Sequence, residues 1–300
     1  MSERMKKVKL KGNESFNFRE GWLRKGMRCV QEHPDLFWRK DVMEQLGVGS
    51  KMVKSIRFWL QATGLCEERH VKGGRSREMV LTEDFGTIVE KYDRYFDDIF
   101  TLFIIHYHIV SNRNFCIAWN LFFNHFTGKD FTKENMLEMC SVELQKQMAE
   151  GSTYSARSLE DDCASMLRMY LNETDGEDPE DSLRCPLAEL GLLQKNASRR
   201  NYVKTAPSRE TLDKMAVFYV VVNNLEQDKN SVSMDELLHG EDNIGKVFNL
   251  SRVLINEYLD QLRVSGYLTL NRTAGLDMIY VENRVAPRDI LLDYYARVQV

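Results

Sequence analysis

The chain has 300 residues, is 43% hydrophobic and carries a formal net charge of −4, which suggests two or three domains with well-packed cores. No run of about eighteen apolar residues occurs, so we expect no membrane span, and the basic N-terminus lacks the apolar stretch of a secretory signal. Six cysteines without a Cys-x-x-Cys pair or clustered histidines exclude a zinc site and predict reduced core thiols in a cytoplasmic protein.

Positive charge is concentrated at the N-terminal end of the chain. Residues 1–80 hold 18 Lys and Arg against 10 Asp and Glu, a net of +8. Residues 81–207 hold 13 against 21, and residues 208–300 hold 10 against 14, so their nets are −8 and −4. This asymmetry is expected when one domain meets phosphate and another meets protein.

The order of elements between residues 22 and 81 predicts a winged helix-turn-helix. Apolar periodicity gives a first helix whose region ends at Pro34 and a second helix over residues 39–46. Gly47 and Gly49 supply the turn before a third helix, and a hairpin with a glycine tip follows it.

The third helix has the two faces that a recognition helix needs. Ser50 is a favourable N-cap, and Val53, Ile56 and Leu60 form a stripe that we expect to face the core. Basic and polar residues occupy the other positions, the tip of the hairpin and the first helix. The predicted nucleic-acid-binding residues are Ser50, Lys51, Lys54, Ser55, Arg57, Arg69, Lys72, Arg75, Arg77, Arg24 and Lys25. A winged helix used only for protein contacts is the alternative.

The middle of the chain is predicted to be helical, with an acidic surface. Asp93, Asp97 and Asp98 stand near the start of an apolar helix, where the macrodipole favours carboxylates. The alternative is a metal or catalytic site formed by Asp97, Asp98 and His106. Helically spaced aromatic residues after position 114 are expected in the core, and the acidic run 172–182 is expected to be a solvated loop.

The C-terminal part repeats the order of helices followed by a hairpin. Its third helix mixes acidic and basic residues, so we expect protein contacts or a structural role there. The last helix is amphipathic and is a candidate dimer or partner surface. The chain is therefore predicted to be mainly α with small β-hairpins. Its domains would be a winged helix-turn-helix DNA-binding domain (15–85), a helical linker domain (86–206) and a second winged-helix-like domain (207–300).

Several stretches resemble one bacterial family, DUF4007, a domain of unknown function. They are SFNFREGWLRKG, IRFWLQATGL, LTEDFG, YDRYFDDIFTLFIIHYHI, FFNHF, SLEDDCASMLRMYL, CPLAELGLL and GKVFNLSRVLINEYLDQL, and they span about residues 15–285. Members of this family are typically encoded beside PAPS-reductase-like proteins, in loci linked to DNA phosphorothioation and phage defence. The resemblance implies a protein that grips or nicks DNA so that sulfur can enter the backbone, with an acidic pair expected at Asp97 and Asp98.

Three functions are consistent with these features. The favoured one is a DNA-binding component of such a modification or defence system, without a cofactor, whose partners are double-stranded DNA and a PAPS-reductase-like protein. The second is a nickase of the same system that holds Mg²⁺ or Mn²⁺ on Asp93, Asp97 and Asp98. The third is a transcription regulator that acts as a homodimer. No phosphate-binding glycine loop and no nucleotide fingerprint is present in the sequence.

Overall fold

The computed structural model describes residues 5–19, 21–71, 74, 76–171, 185–196, 201–226, 228–273, 276–282 and 285–298. Within these residues the protein is mainly α-helical and carries three small antiparallel sheets, which confirms the predicted class. The acidic run 172–182 and the sites Lys72 and Arg75 lie outside the described residues.

The N-terminal region has three helices followed by a hairpin, in the predicted order. The elements are α1 (Trp22–Glu32), a 3-10 helix (Leu36–Trp38), α2 (Val42–Leu46), α3 (Ser50–Ala62), β1 (Cys66–His70) and β2 (Arg77–Leu81). In the hairpin Cys66 lies opposite Leu81. The prediction that Ser50 caps α3 was wrong, because Gly49 has the extended backbone of the cap and Ser50 is the first helical residue.

The middle region is a bundle of helices with a three-stranded sheet at its edge. The elements are α4 (Gly86–Tyr92), α5 (Ile99–Ser111), α6 (Ile117–His125), β3 (Asp130–Phe131), α7 (Lys133–Gln147), α8 (Ala156–Leu171), a 3-10 helix (Pro186–Leu190), β4 (Leu193–Asn196) and β5 (Asn201–Lys204). Strand β5 lies in a basic and polar stretch of the sequence. Its Tyr202 is buried, with its ring centroid 5.5 Å from that of Phe131 on β3.

The C-terminal region also has helices followed by a hairpin, with one extra strand. The elements are α9 (Lys214–Asn223), β6 (Ser231–Ser233), α10 (Met234–His239), α11 (Ile244–Val247), α12 (Arg252–Val264), β7 (Leu268–Thr273), β8 (Leu276–Val281) and α13 (Pro287–Val298). The sheet order is β6-β8-β7. Ile290, Leu291 and Tyr295 of α13 are buried within the chain, so a homodimer would have to use other surfaces than this apolar face.

One continuous hydrophobic core joins the three regions. The ring of Trp59 on α3 meets that of Trp119 on α6 edge-on, with centroids 5.8 Å apart. The segment before α1 crosses α3, and its Phe16 carbonyl accepts a hydrogen bond from Trp59 Nε1 at 2.9 Å. The same segment reaches α8, where Asn13 Nδ2 donates to Ser165 Oγ at 2.8 Å. The predicted domain boundaries thus separate parts that share side-chain packing.

Gly86, the first residue of α4, packs against Leu65, the residue that precedes β1. A Cβ atom at this position would lie 2.0 Å from the carbonyl oxygen of Leu65, which is far inside contact distance. The Gly86 N–H donates to Thr82 Oγ1 at 2.8 Å, so Thr82 helps to start α4. The LTEDFG stretch therefore encodes a close backbone approach that only glycine allows.

Two expectations from composition can be compared with the structure. All six cysteines are buried and none is in a disulfide, as expected of core thiols. Across the described ranges, no helix combines the length and the apolar character that crossing a membrane requires.

Candidate nucleic-acid interface

The first turn of α3 is exposed, whereas the rest of that helix is largely covered. Ser50, Lys51 and Lys54 are exposed. Val53, Ile56 and Leu60 are buried, which confirms the predicted core stripe. A helix N-terminus presents free N–H groups and the positive end of the helix dipole, so lysines at this place add to a site that already favours phosphate.

Lys25 brings a third amine to this turn from α1. A Cβ atom at Gly47, in the turn between α2 and α3, would lie 3.3 Å from Lys25 Nζ. We call Lys25, Ser50, Lys51 and Lys54 the basic face. Lys54 Nζ is 3.3 Å from Glu14 Oε1, but its side chain is 67% exposed, and ion pairs this exposed contribute little. Phosphate can therefore displace the glutamate at low cost.

Ser55 does not belong to this face, which corrects the sequence prediction. Its side chain is fully buried, and Oγ lies 3.3 Å from the Phe16 carbonyl oxygen to which it donates. The cause is the segment before α1, which packs across α3 and covers Phe58 as well. Helical periodicity alone cannot reveal a cover supplied by another part of the chain.

Arg57 connects α3 to the hairpin. Its Nε donates to Oε1 of Glu68 on β1 at 2.8 Å. Its guanidinium carbon lies 4.7 Å from the ring centroid of Trp38, on the 3-10 helix before α2. Arg57 is thus half-buried and engaged on two sides, so its main task is to hold the hairpin and the 3-10 helix against α3.

The described hairpin arginines are each beside a carboxylate. Arg69 forms an ion pair with Glu67 and lies 4.0 Å from Glu83. Arg77 Nη1 lies 4.0 Å from Glu68 Oε2, and its side chain is half exposed. These pairs reduce the positive charge of the hairpin but are too exposed to prevent an exchange for phosphate.

Arg24 contacts Tyr95, whereas Lys25 lies beside Gly47. Its guanidinium carbon lies 4.0 Å from the ring centroid of Tyr95, in the loop between α4 and α5. That loop carries the acidic residues of the candidate metal site. Arg24 therefore contacts the acidic loop and not the turn before α3.

Asp93 and Asp98 organise this loop through hydrogen bonds. The buried Asp93 carboxylate accepts from the N–H of Asp97 at 3.0 Å, from that of Asp98 at 3.4 Å and from the Thr101 hydroxyl. Burial raises the pKa of Asp93 to about 6. Asp98 caps α5 by accepting from the Phe100 N–H at 2.9 Å, as macrodipole arguments predict for a first turn.

The three aspartates line one cleft of about 690 Å³, together with Tyr294 and Tyr295 of α13. Tyr294 donates its hydroxyl to Asp98 at 3.0 Å, and Asp97 is exposed. No group of three or more His, Cys, Asp or Glu side chains in the described part of the chain is arranged to hold a metal ion. Two of the three carboxylates thus already have structural partners.

His106 is a fully buried core residue and does not line the cleft. Its Nδ1 lies 2.7 Å from the Tyr170 hydroxyl and its Nε2 lies 2.8 Å from the Val247 carbonyl oxygen. Burial lowers the pKa of His106 to about 3, so the ring is neutral. Both ring nitrogens are engaged, which leaves neither for a ligand.

Sequence reasoning singled out neither Glu68 nor Trp38, although both contact Arg57. Glu68 is half-buried on β1, whereas the residues on either side of it, Glu67 and Arg69, are exposed. This alternation is typical of a strand, but a charged residue at the inward position hides it in the sequence. Trp38 lies in the short segment between Pro34 and the predicted second helix, which begins at residue 39. An aromatic residue in a short connector was the available signal for a surface site.

The fold and these contacts define a mainly α-helical protein with an exposed basic face at the start of α3. The chain belongs to the family described as "Protein of unknown function (DUF4007)", whose model matches residues 10–295. This finding confirms the family that the sequence stretches resembled.

Two solved structures are similar to this chain. The one described as "Magnesium ion-bound SspB crystal structure" has 22% sequence identity and a TM-score of 0.82, and the match covers 98% of this chain and 88% of that chain. The one described as "SspB crystal structure" has 23% identity, the same TM-score and the same coverage. At this identity the likeness shows a common fold. No curated protein matches the chain.

Proposed function

We propose that this protein binds duplex DNA through a winged helix formed by α1, α2, α3 and the β1–β2 hairpin. The observation that carries the proposal is the basic face, where Lys51 and Lys54 are exposed near the start of α3 and Lys25 lies beside the turn that precedes it. The N-terminal 80 residues have a net charge of +8 in a chain whose total is −4, so this face is the natural target for phosphate.

The covering of α3 restricts how the helix meets DNA. Phe58 and Trp59 are buried, so the C-terminal half of α3 has little free surface. Recognition helices commonly contact base edges with their N-terminal residues. We infer that α3 approaches the groove with its first turn, with Lys51 and Lys54 on phosphates and Ser50 next to them.

The setting we propose is a DNA-modification system of the phosphorothioation type, or a phage-defence system, in the cytoplasm. This part rests on the resemblance to the family and its gene neighbours. A partner of the PAPS-reductase type would meet the acidic middle region. A groove of about 820 Å³ between α7 and α8, lined by Glu134, Glu138, Glu160 and Asp161 around Leu137, supports a protein contact there.

Binding is favoured over metal-dependent nicking by the hydrogen bonds of the acidic loop. Asp93 and Asp98 accept N–H hydrogen bonds that are part of the fold, and no group of three or more His, Cys, Asp or Glu side chains among the described residues is arranged to hold a metal ion. A similar structure is described as magnesium-bound, so the tests include Mg²⁺ and Mn²⁺. Relaxation of supercoiled plasmid that depends on metal and is lost in Asp97→Ala would favour the nickase.

The experiment is fluorescence anisotropy of a labelled duplex with the full chain between about 50 and about 200 mM salt. Each phosphate contact adds about −0.9 to the slope of log K against log salt, so three to four contacts predict a slope of about −3. Absence of binding at the lowest salt, or binding that does not change with salt, would contradict the proposal.

A further inference from the structure

A small pocket lies between the 3-10 helix before α2 and strand β2. It has a volume of about 320 Å³ and is lined by Asp35, Trp38, Ser76 and Arg77. The Met79 N–H donates to the Pro34 carbonyl oxygen at 2.8 Å, so a backbone hydrogen bond holds the two walls together. Asp35 and Trp38 belong to the 3-10 helix and its cap, Arg77 begins β2, and Ser76 is the loop residue just before that strand.

Trp38 gives this pocket an aromatic surface that is partly exposed to solvent. The residue is 37% exposed, whereas Trp59 and Trp119 are at most 1% exposed. The Arg57 guanidinium lies over the ring at 4.7 Å and is itself held by Glu68, so the indole is fixed in place. A rigid, partly exposed indole is a stacking platform.

We propose that this pocket receives one unpaired nucleobase of the bound DNA, stacked on the Trp38 indole. The inference rests on the proposed function and names the part of the nucleic acid that the pocket takes. Every base has a π-face for the indole and polar edge groups for the remaining lining. Asp35 accepts N–H groups of the base edge, Ser76 both accepts and donates, and Arg77 donates.

The position of the pocket agrees with the basic face. Lys54 and Arg57 are three residues apart on α3 and so lie on neighbouring turns of one side, about 4.5 Å apart along the axis. Arg57 contacts the pocket wall at Trp38. In the proposed complex, a strand whose phosphates lie on Lys51 and Lys54 continues past Arg57 to the pocket.

The lining favours a base over an apolar side chain of a protein partner. Three of the four lining residues are polar, and two of these carry opposite charges. An apolar side chain would remove these charged groups from water without giving hydrogen bonds in return. A base edge satisfies them while its ring stacks.

The test compares two labelled duplexes of one sequence, one fully paired and one with a single bulged 2-aminopurine. We expect the wild-type chain to bind the bulged duplex about 5- to 140-fold more tightly, which corresponds to the stacking free energy of one base. Binding should also quench the 2-aminopurine fluorescence. Trp38→Ala should abolish both the preference and the quenching, and Trp38→Phe, which keeps a smaller ring, should retain part of each.

Tyr280→Ala is the matched control, because Tyr280 is 36% exposed on β8 of the C-terminal hairpin. It should leave the preference unchanged, and thermal melts should show that all variants are folded. Equal binding of both duplexes by the wild-type chain, or a preference that survives in Trp38→Ala, would overturn the pocket assignment.

The binding experiment distinguishes a wrong pocket assignment from a wrong proposed function. If the paired duplex binds with a salt-dependent affinity but the bulge adds nothing, only the pocket assignment fails. If neither duplex binds, the proposed function fails, and a single-stranded oligonucleotide with the same 2-aminopurine decides about the pocket. Quenching by the wild-type chain that is lost in Trp38→Ala supports the pocket assignment. Absence of quenching by the wild-type chain overturns the pocket assignment.

Discussion

Arg57 and Glu68 form an ion pair, with Nε of the arginine 2.8 Å from Oε1 of the glutamate, that ties α3 to the first strand of the hairpin. Their side chains are 31% and 22% exposed, so the pair is better shielded from water than most surface pairs. Because Arg57 also lies over Trp38, this contact fixes the relative positions of α3, the hairpin and the candidate base pocket.

A double-mutant cycle with Arg57→Gln and Glu68→Gln should show a coupling free energy of about 1 kcal/mol, near the upper end for exposed pairs. Urea denaturation gives the four free energies of unfolding. The reference pair is Arg28 and Glu32, which are 3.9 Å apart and about 60% exposed, and its coupling should be close to zero. Coupling of the same size in both cycles would show that Arg57 and Glu68 do not act as a shielded pair.

Gly86→Ala should destabilise the protein by about 3 kcal/mol or more, because the new Cβ would overlap the Leu65 carbonyl and force the backbone apart. The control is Gly74→Ala, where the nearest atom to a Cβ is 3.7 Å away. Urea denaturation of both variants measures the difference. Equal stability of the two variants would mean that the hairpin and α4 are not held this closely.

Asp162 should make stability depend on pH. Its buried carboxylate accepts a hydrogen bond from the Lys11 N–H at 2.9 Å, and burial raises its pKa from 3.8 to about 7. The folded protein therefore keeps a proton that the unfolded chain loses, so the stability that Asp162 contributes is full below about pH 4 and is lost as the pH rises to about 7.

Asp162→Asn keeps an acceptor oxygen for Lys11 and cannot ionise. We expect the variant to gain stability relative to the wild-type chain as the pH rises from about 4 to about 7, with no further gain above that range. Free energies of unfolding at several pH values test this. A difference between the two proteins that is the same at every pH would contradict the assignment.

Local patterns in the sequence were enough to predict the main elements of this fold. The stripe of Val53, Ile56 and Leu60 identified the core side of α3, because a helix repeats its faces within a few residues. The aromatic residues of α6 were likewise correctly placed in the core. Both features depend only on neighbours along the chain.

The details of the candidate interface depend on contacts between distant residues, and these could not be predicted. Ser55 is buried because Phe16 crosses α3, and Arg57 is paired because Glu68 returns beside it in the hairpin. Strand β5 was missed because it lies in a basic and polar stretch, and although β4 precedes it directly, its other partner, β3, comes from a distant part of the chain. Periodicity carries no information about such pairings.

The most direct test of the central claim compares two double variants in the duplex-binding experiment. Lys51→Gln with Lys54→Gln removes two positive charges from the basic face. Lys133→Gln with Lys146→Gln removes two exposed charges from α7, outside that face. Both variants have the same net charge, so any difference between them depends on where the charges lie.

We predict that the first variant binds duplex DNA at least about 10-fold more weakly at about 100 mM salt, and that its salt slope is less negative by about 1.8, the value for two lost phosphate contacts. The α7 variant should match the wild-type chain in both quantities. Unchanged affinity and slope in the Lys51 and Lys54 variant, or an equal loss in the α7 variant, would contradict DNA binding through α3.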